Sequence, residues 1–162
     1  MGTRSRIGMV QEDGTVKSIY CQWDGFPKHN GVILKESFTD VNRVKELIAL
    51  GDLYNLRSNL YPDPIGGYTE TFSISEGWKV VPANGKHNHI EPQLGVIVAY
   101  HRDCGQPMQF RCDNSVDDYI KSDLEEYGYL FKDGRWYLVD DGELKALDEM
   151  EELKDAYLIA EG

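Results

Sequence analysis

Apolar and polar positions alternate with a period of two along residues 3–23. Ile19, Cys21 and Trp23 fall on one side of an extended chain, and Val16, Ser18, Tyr20 and Gln22 fall on the other. The pattern predicts a β-hairpin whose strands run from Thr3 to Gln11 and from Thr15 to Trp23. Asp13-Gly14 is its turn, because glycine accepts the positive φ that a tight turn demands. Both faces mix apolar and polar side chains, so the strand is expected to be covered, in part, on both sides. Gly25-Phe26-Pro27 then stops it.

Helical spacing follows. Residues 30–38 cluster Val32, Ile33 and Leu34 in a short helix. Val41, Val44, Leu47 and Ile48 recur at the spacing of a second helix, with Thr39 or Asp40 at its start and Gly51 as its stop. Residues 52–94 are the least regular, punctuated by Pro62, Pro64, Gly66, Gly67, Gly77, Pro82, Gly85 and Pro92. Within them Thr69–Ile74 and Trp78–Val81 are candidate strands; the rest is a loop long enough to act as a lid or binding loop. Gly95–His101 reads as a buried strand. Residues 115–125 read as an amphipathic helix, capped by Asn114 or Ser115, with Val116, Tyr119, Ile120 and Leu124 on one face. Tyr127–Phe131 and Arg135–Val139 make a second hairpin around Asp133-Gly134. A final helix is expected from about Glu143 to Leu158, striped by Leu144, Leu147, Met150, Leu153 and Tyr157. The expected fold is α+β: an antiparallel sheet built from two β-hairpins plus central strands, packed by three or four helices. No repeat or linker divides the chain, so residues 1–162 are expected to form one domain that includes the acidic C-terminal third, 113–162.

Composition narrows the class. With 10 Tyr, 5 Phe and 3 Trp the chain is aromatic enough to build a core. No apolar run approaches the ~20 residues that span a bilayer. Arg4 and Arg6 are followed by a polar hairpin, not an apolar signal core. Met1-Gly2 opens a myristoylation motif, but Arg6 stands where that motif needs Ser or Thr. Cys21, Cys104 and Cys112 are an odd set, which suits free thiols in a reducing compartment. A cytosolic protein without membrane contact is expected.

The net charge of −11 is unevenly spread. Residues 1–112 hold 12 acids and 12 Lys or Arg; residues 113–162 hold 16 acids and 5 bases. With no basic run, direct binding to a nucleic-acid backbone is not expected. The acidic third reads first as a solvated face, and second as a surface for a basic partner or a mimic of a phosphate array.

Candidate chemistry is sparse. Arg4 and Arg6 project to the same side of a strand, where two guanidinium groups suit a phosphate or carboxylate. Arg4, Ser5 and Arg6 are therefore the candidate anion site, and the competing reading pairs both arginines with acids of the C-terminal third. Trp23, Asp24 and Phe26 lie in a turn that presents aromatics to a partner or plugs the hairpin onto the next helix. His101, Cys104 and Cys112, with His87 and His89, are weak metal candidates because no second chelating pair completes the spacing. Cys21 reads as a packed core thiol and not a nucleophile. Nucleophile-elbow, Walker and Gly-x-Gly-x-x-Gly motifs are absent from the sequence, so no catalytic residue and no cofactor is assigned.

Gly2-Thr3-Arg4-Ser5-Arg6-Ile7-Gly8 and Ser18-Ile19-Tyr20-Cys21-Gln22-Trp23-Asp24-Gly25-Phe26-Pro27 resemble the start of a family of small tailed-bacteriophage and prophage proteins. The stretches 47–53, 99–103, 126–129 and 129–137 extend the resemblance over most of the chain. Gln22 and Phe26 stand where relatives are expected to carry His and Tyr. The family carries no established activity. The resemblance implies a phage gene expressed in the host bacterial cytoplasm. The leading expectation is an accessory protein that acts by binding a host protein, such as a defence component. The alternatives are a protein that binds or hydrolyses a small anionic ligand, a nucleotide or phosphate, through Arg4 and Arg6, and a structural component of the virion.

Overall fold

The first hairpin forms as its alternation predicts. Strands β1 (Ser5–Val10) and β2 (Val16–Cys21) pair antiparallel, with Ile7 opposite Ile19 and Arg6 opposite Tyr20. Gly14, at φ 88°, closes a three-residue loop in which its N–H donates to the Gln11 carbonyl at 2.9 Å. The computed structural model describes residues 2–61, 68–75, 77–82 and 96–154.

A single π-helical turn, Pro27–Gly31, leads into helix α1 (Val32–Ser37), which buries Val32, Ile33 and Leu34. The carboxylate of Asp40 accepts the Asn42 N–H at 2.8 Å and so caps helix α2 (Val41–Ala49). Val44, Leu47 and Ile48 face the core, but Val41 is 44% exposed and lies off that face. Next come β3 (Leu53–Asn55), the separate hairpin of β4 (Tyr68–Ser73) and β5 (Gly77–Pro82), and β6 (Val98–Ala99). Helix α3 (Tyr100–Cys104), β7 (Arg111–Asp113) and α4 (Val116–Lys121) follow. The chain continues with β8 (Tyr127–Lys132), β9 (Arg135–Asp140), β10 (Glu143–Ala146), a 3-10 turn at Leu147–Glu149 and α5 (Glu151–Lys154).

Eight strands form one sheet in the order β10-β9-β8-β1-β2-β3-β6, with β7 also on β2. Most ladders are antiparallel, but β1 pairs parallel with β8 and β2 parallel with β3. The two expected hairpins are therefore joined side by side through a parallel β1–β8 seam. The acidic C-terminal strands belong to the same sheet as β1. Both faces of the centre are covered. Ile7, Met9, Ile19, Cys21, Tyr129 and Phe131 pack under α1 and α2 in the larger core. Val16, Leu130 and Tyr119 of α4 make a smaller cluster on the opposite face.

Three expectations are corrected. The strand at Gly95–His101 shrinks to Val98–Ala99, and the chain turns helical at Tyr100; the Asp103 carboxylate accepts the Ala99 N–H at 2.7 Å and stabilises that break. The helix at 115–125 ends at Lys121, where the Ser122 hydroxyl donates to the Tyr119 carbonyl at 2.6 Å. The final helix from Glu143 is replaced at its start by β10. Asp141 and Gly142, at φ 52° and 78°, make a two-residue turn that folds Leu144 back opposite Val139. Tyr157 and Leu158, its expected end, lie outside the described residues.

Candidate ligand-binding surface

Ser5 separates from Arg4 and Arg6 in the fold. The Arg4 backbone N–H donates to the Glu126 carboxylate at 2.6 Å, and its Nε lies 4.0 Å from Glu125. That is the pairing with C-terminal acids that the charge split predicts. Ser5 is fully buried on the larger-core face, where its Oγ accepts from the Asn30 side chain at 3.3 Å. It shares no surface with Arg6.

Arg6 lies on the opposite face and is half-buried. One terminal nitrogen donates to Ser18 Oγ at 3.1 Å, while its Nε is buried with no hydrogen-bond partner. Arg6 makes no ion pair among the described residues. Burial and the nearby Arg111 guanidinium lower its pKa, and the negative charges of Asp52 and Glu125 offset them only in part. Arg111 stands opposite Ser18 in the β2–β7 ladder, so it shares the face of Arg6. Its own donors are engaged by Asp113 at 3.1 Å, the Asp123 carbonyl at 2.8 Å and Ser122 Oγ at 2.5 Å.

Three tyrosines continue this face away from Arg6. Tyr20 is directly opposite Arg6, and its hydroxyl hydrogen-bonds the Gln22 side chain. Cys21 pairs with Leu53, so Tyr54 points to the side of Tyr20, not of the core. Tyr54 meets Tyr100 edge-on, ring centroids 6.1 Å apart, and Trp23 at 6.2 Å. Trp23 Nε1 is a second buried N–H without a hydrogen-bond partner. Between Arg6 and the rings, Asp52 accepts the Tyr20 N–H at 2.9 Å, and burial raises its pKa. Burial also raises Tyr20 and pushes Tyr100 up to about 12.

Arg6 and Trp23, one from each candidate set, thus flank a single surface. Asp24 and Phe26 do not join it. Asp24, at φ 57°, lies 4.0 Å from both His29 and Arg57. Phe26 packs against His29 with centroids 5.9 Å apart. Their turn is clamped to the core: Gly25 N–H donates to the Thr3 carbonyl at 2.8 Å, and the Tyr129 hydroxyl donates to the Gly25 carbonyl at 2.6 Å. A Cβ on Gly25 would lie 2.6 Å from Ser5 Cβ. Cys21 is fully buried beneath this turn, and burial pushes its thiol up to about 11.

Tyr54, Tyr100 and Asp52 were not singled out from the sequence. Tyr20 shares its face with Arg6 through the register of the β1–β2 hairpin; the other three arrive through long-range pairing. The metal candidates do not assemble. His101 is exposed with Nδ1 2.7 Å from the Gln106 carbonyl, Cys104 is half-buried and Cys112 is exposed. Among the described residues no three His, Cys, Asp or Glu side chains form a group that could hold a metal ion. His87 and His89 lie outside the described residues.

Elsewhere, a concavity of about 740 Å³ opens beside the β9–β10 hairpin. Glu126, Asp140, Glu149 and Glu152 line it around Lys145 and Met150. No helix among the described residues is long and apolar enough to cross a membrane. Comparison with protein-family models, curated proteins and solved structures yields no match, so the class rests on what the chain itself presents. That class is an α+β protein with a mixed, mostly antiparallel open sheet and an arginine-tyrosine surface.

Proposed function

We propose that this protein acts by binding, and that the Arg6 surface takes a small anionic ligand. The observation that carries this reading is Arg6 itself: a half-buried guanidinium with an unmatched Nε, no ion pair among the described residues, and a second guanidinium beside it. An anion there would relieve the Arg6–Arg111 repulsion through charge-assisted hydrogen bonds. In keeping with the resemblance to tailed-phage proteins, the ligand is taken to be a molecule of the host bacterial cytoplasm.

The test is calorimetric titration with inorganic phosphate and with sulfate. Arg4→Gln should lose less affinity than Arg6→Gln, because the Arg4 side chain lies 4.0 Å from the Glu125 carboxylate. Arg6→Gln should lose at least about tenfold in affinity, the loss of one charge-assisted contact. Equal binding by Arg6→Gln, with its fold confirmed by circular dichroism, would refute the reading.

A second reading keeps the role of accessory protein directed at a host protein, with the acidic groove as its contact. It is favoured by the charge of the lining: Glu126, Asp140, Glu149 and Glu152 face a single lysine, Lys145, which Asp140 takes up at 2.6 Å, so the groove keeps a net negative charge for a basic partner. Glu149→Lys with Glu152→Lys should then abolish a salt-sensitive association that Arg6→Gln leaves intact.

A further inference from the structure

We propose that the anion bound at Arg6 carries an aromatic ring, and that the site is built for a free nucleotide, its phosphate toward Arg6 and its base against Tyr54 and Tyr100. This rests on the reading of Arg6 as an anion site and adds a second recognition element to it.

The rings are placed by the sheet and not by chance exposure. Tyr20 on β2, Tyr54 on β3 and Tyr100 at the start of α3 come from three separate segments, and the β2–β3–β6 ladders turn Tyr20 and Tyr54 to one face. Tyr54 and Tyr100 stand nearly perpendicular, at 83°, and Tyr54 is 37% exposed. A tyrosine ring that stays 37% exposed while Tyr100 and Trp23 brace it offers a platform for a flat ring, because every nucleobase has a π-face that stacks. Arg6 stands across the β1–β2 ladder from Tyr20, and Tyr54 lies one strand further on, so two strand spacings, about 10 Å, separate the charged element from the stacking platform.

Hydrogen bonding points the same way. The two unmatched buried side-chain atoms among the described residues, Arg6 Nε and Trp23 Nε1, are both donors, and they flank this surface. Buried donors rarely go without acceptors. A nucleotide is rich in acceptors at both ends, phosphate oxygens at one and ring nitrogens and carbonyls at the other. Asp52 offers the opposite polarity, a carboxylate for a sugar hydroxyl or an exocyclic amine. The overall charge of −11 works against a long polyanion, so the occupant is a free nucleotide and not a nucleic-acid strand.

The experiment titrates the full chain with the four ribonucleoside 5′-monophosphates, the four nucleosides, inorganic phosphate and a short single-stranded oligonucleotide. At least one monophosphate should bind about tenfold or more tightly than both phosphate and its own nucleoside. Tyr54→Ala should weaken that monophosphate roughly five- to hundredfold, the range of one lost stacking contact, and leave phosphate unchanged. Arg6→Gln should weaken both; Arg6→Lys, which keeps the charge but not the fork, serves if the glutamine variant is unfolded. Monophosphates no tighter than phosphate, or a Tyr54→Ala variant with unaltered affinity, overturn the nucleotide assignment while leaving the anion reading standing. Absence of binding by phosphate and all monophosphates overturns both. Tighter binding of the oligonucleotide than of any monomer overturns the assignment to a free nucleotide.

Discussion

Gly8 lies at the centre of β1, between Ser18 on one side and Leu130 on the other. A Cβ at this position would stand 2.8 Å from Cζ and 2.9 Å from the hydroxyl oxygen of Tyr119. Tyr119 has little room to retreat. It is fully buried, and its hydroxyl donates to the Tyr129 carbonyl at 2.7 Å. Gly8→Ala must therefore overpack the smaller cluster and press the Tyr119 hydroxyl off the Tyr129 carbonyl. Overpacking costs about 1–3 kcal/mol. Separating the tyrosine from its carbonyl adds about 1–3 kcal/mol. Removing a glycine from a strand interior returns about 0.5–1 kcal/mol. The net expectation is a loss of about 2–4 kcal/mol. Urea unfolding followed by tryptophan fluorescence should show the midpoint falling by roughly 1–2 M at an unchanged slope. Tyr119→Leu in the same chain should recover part of the loss, with a coupling of about 0.5–3 kcal/mol. A midpoint that holds or rises on Gly8→Ala, or strict additivity in the double variant, would refute the seating of α4 on β1.

Tyr129→Phe removes the donor to the Gly25 carbonyl and should cost about 1–3 kcal/mol, read as a lower thermal midpoint, with the Asp24–Pro27 turn the first region to gain amide exchange. Cys21, raised by burial from 9.0 to about 11, keeps its proton in the folded state while the unfolded chain loses it. Its contribution is therefore intact below pH 9.0 and lost as pH rises toward 11, so stability should fall across that window, less steeply in Cys21→Ala. At neutral pH a thiol reagent should label exposed Cys112 well before Cys21; equal rates would contradict the buried placement. Gly142→Val forces a β-branched residue to φ 78° and should cost about 1–3 kcal/mol by urea unfolding; a neutral result would argue for helix, not hairpin, at Glu143.

Local chemistry made the strongest elements legible. Alternation set Val16, Ser18 and Tyr20 on one face of β2 and Ile19 and Cys21 on the other; it also put Trp23 with Cys21, but Trp23 lies past the end of β2 and meets Tyr54 instead. Asp13-Gly14 and Asp133-Gly134 marked two hairpins, and Asp40 with Gly51 bracketed α2. The same reasoning passed over Asp141-Gly142, because Leu144, Leu147, Met150 and Leu153 also satisfy a helical stripe. An apolar spacing of three or four is shared by a helix and by a short strand that runs into a 3-10 turn; a positive-φ dipeptide is what separates them.

The candidate surface shows where sequence reasoning stops. By itself the chain determined which side chains could meet an anion and which residues share a strand face, because both depend on neighbours within a few positions. It also determined that the C-terminal third carries the excess charge. Only the tertiary structure decided that β1 runs parallel to β8, since a parallel seam joins residues about 120 apart and leaves no local period. The same long-range pairing gave Arg4 to Glu125 and Glu126, put Ser5 in the core, and left Arg6 on the opposite face. It also brought Tyr54 and Tyr100 together beside Trp23. Each position is set by which strand edge was free to pair, a property of the assembled sheet and not of any one segment.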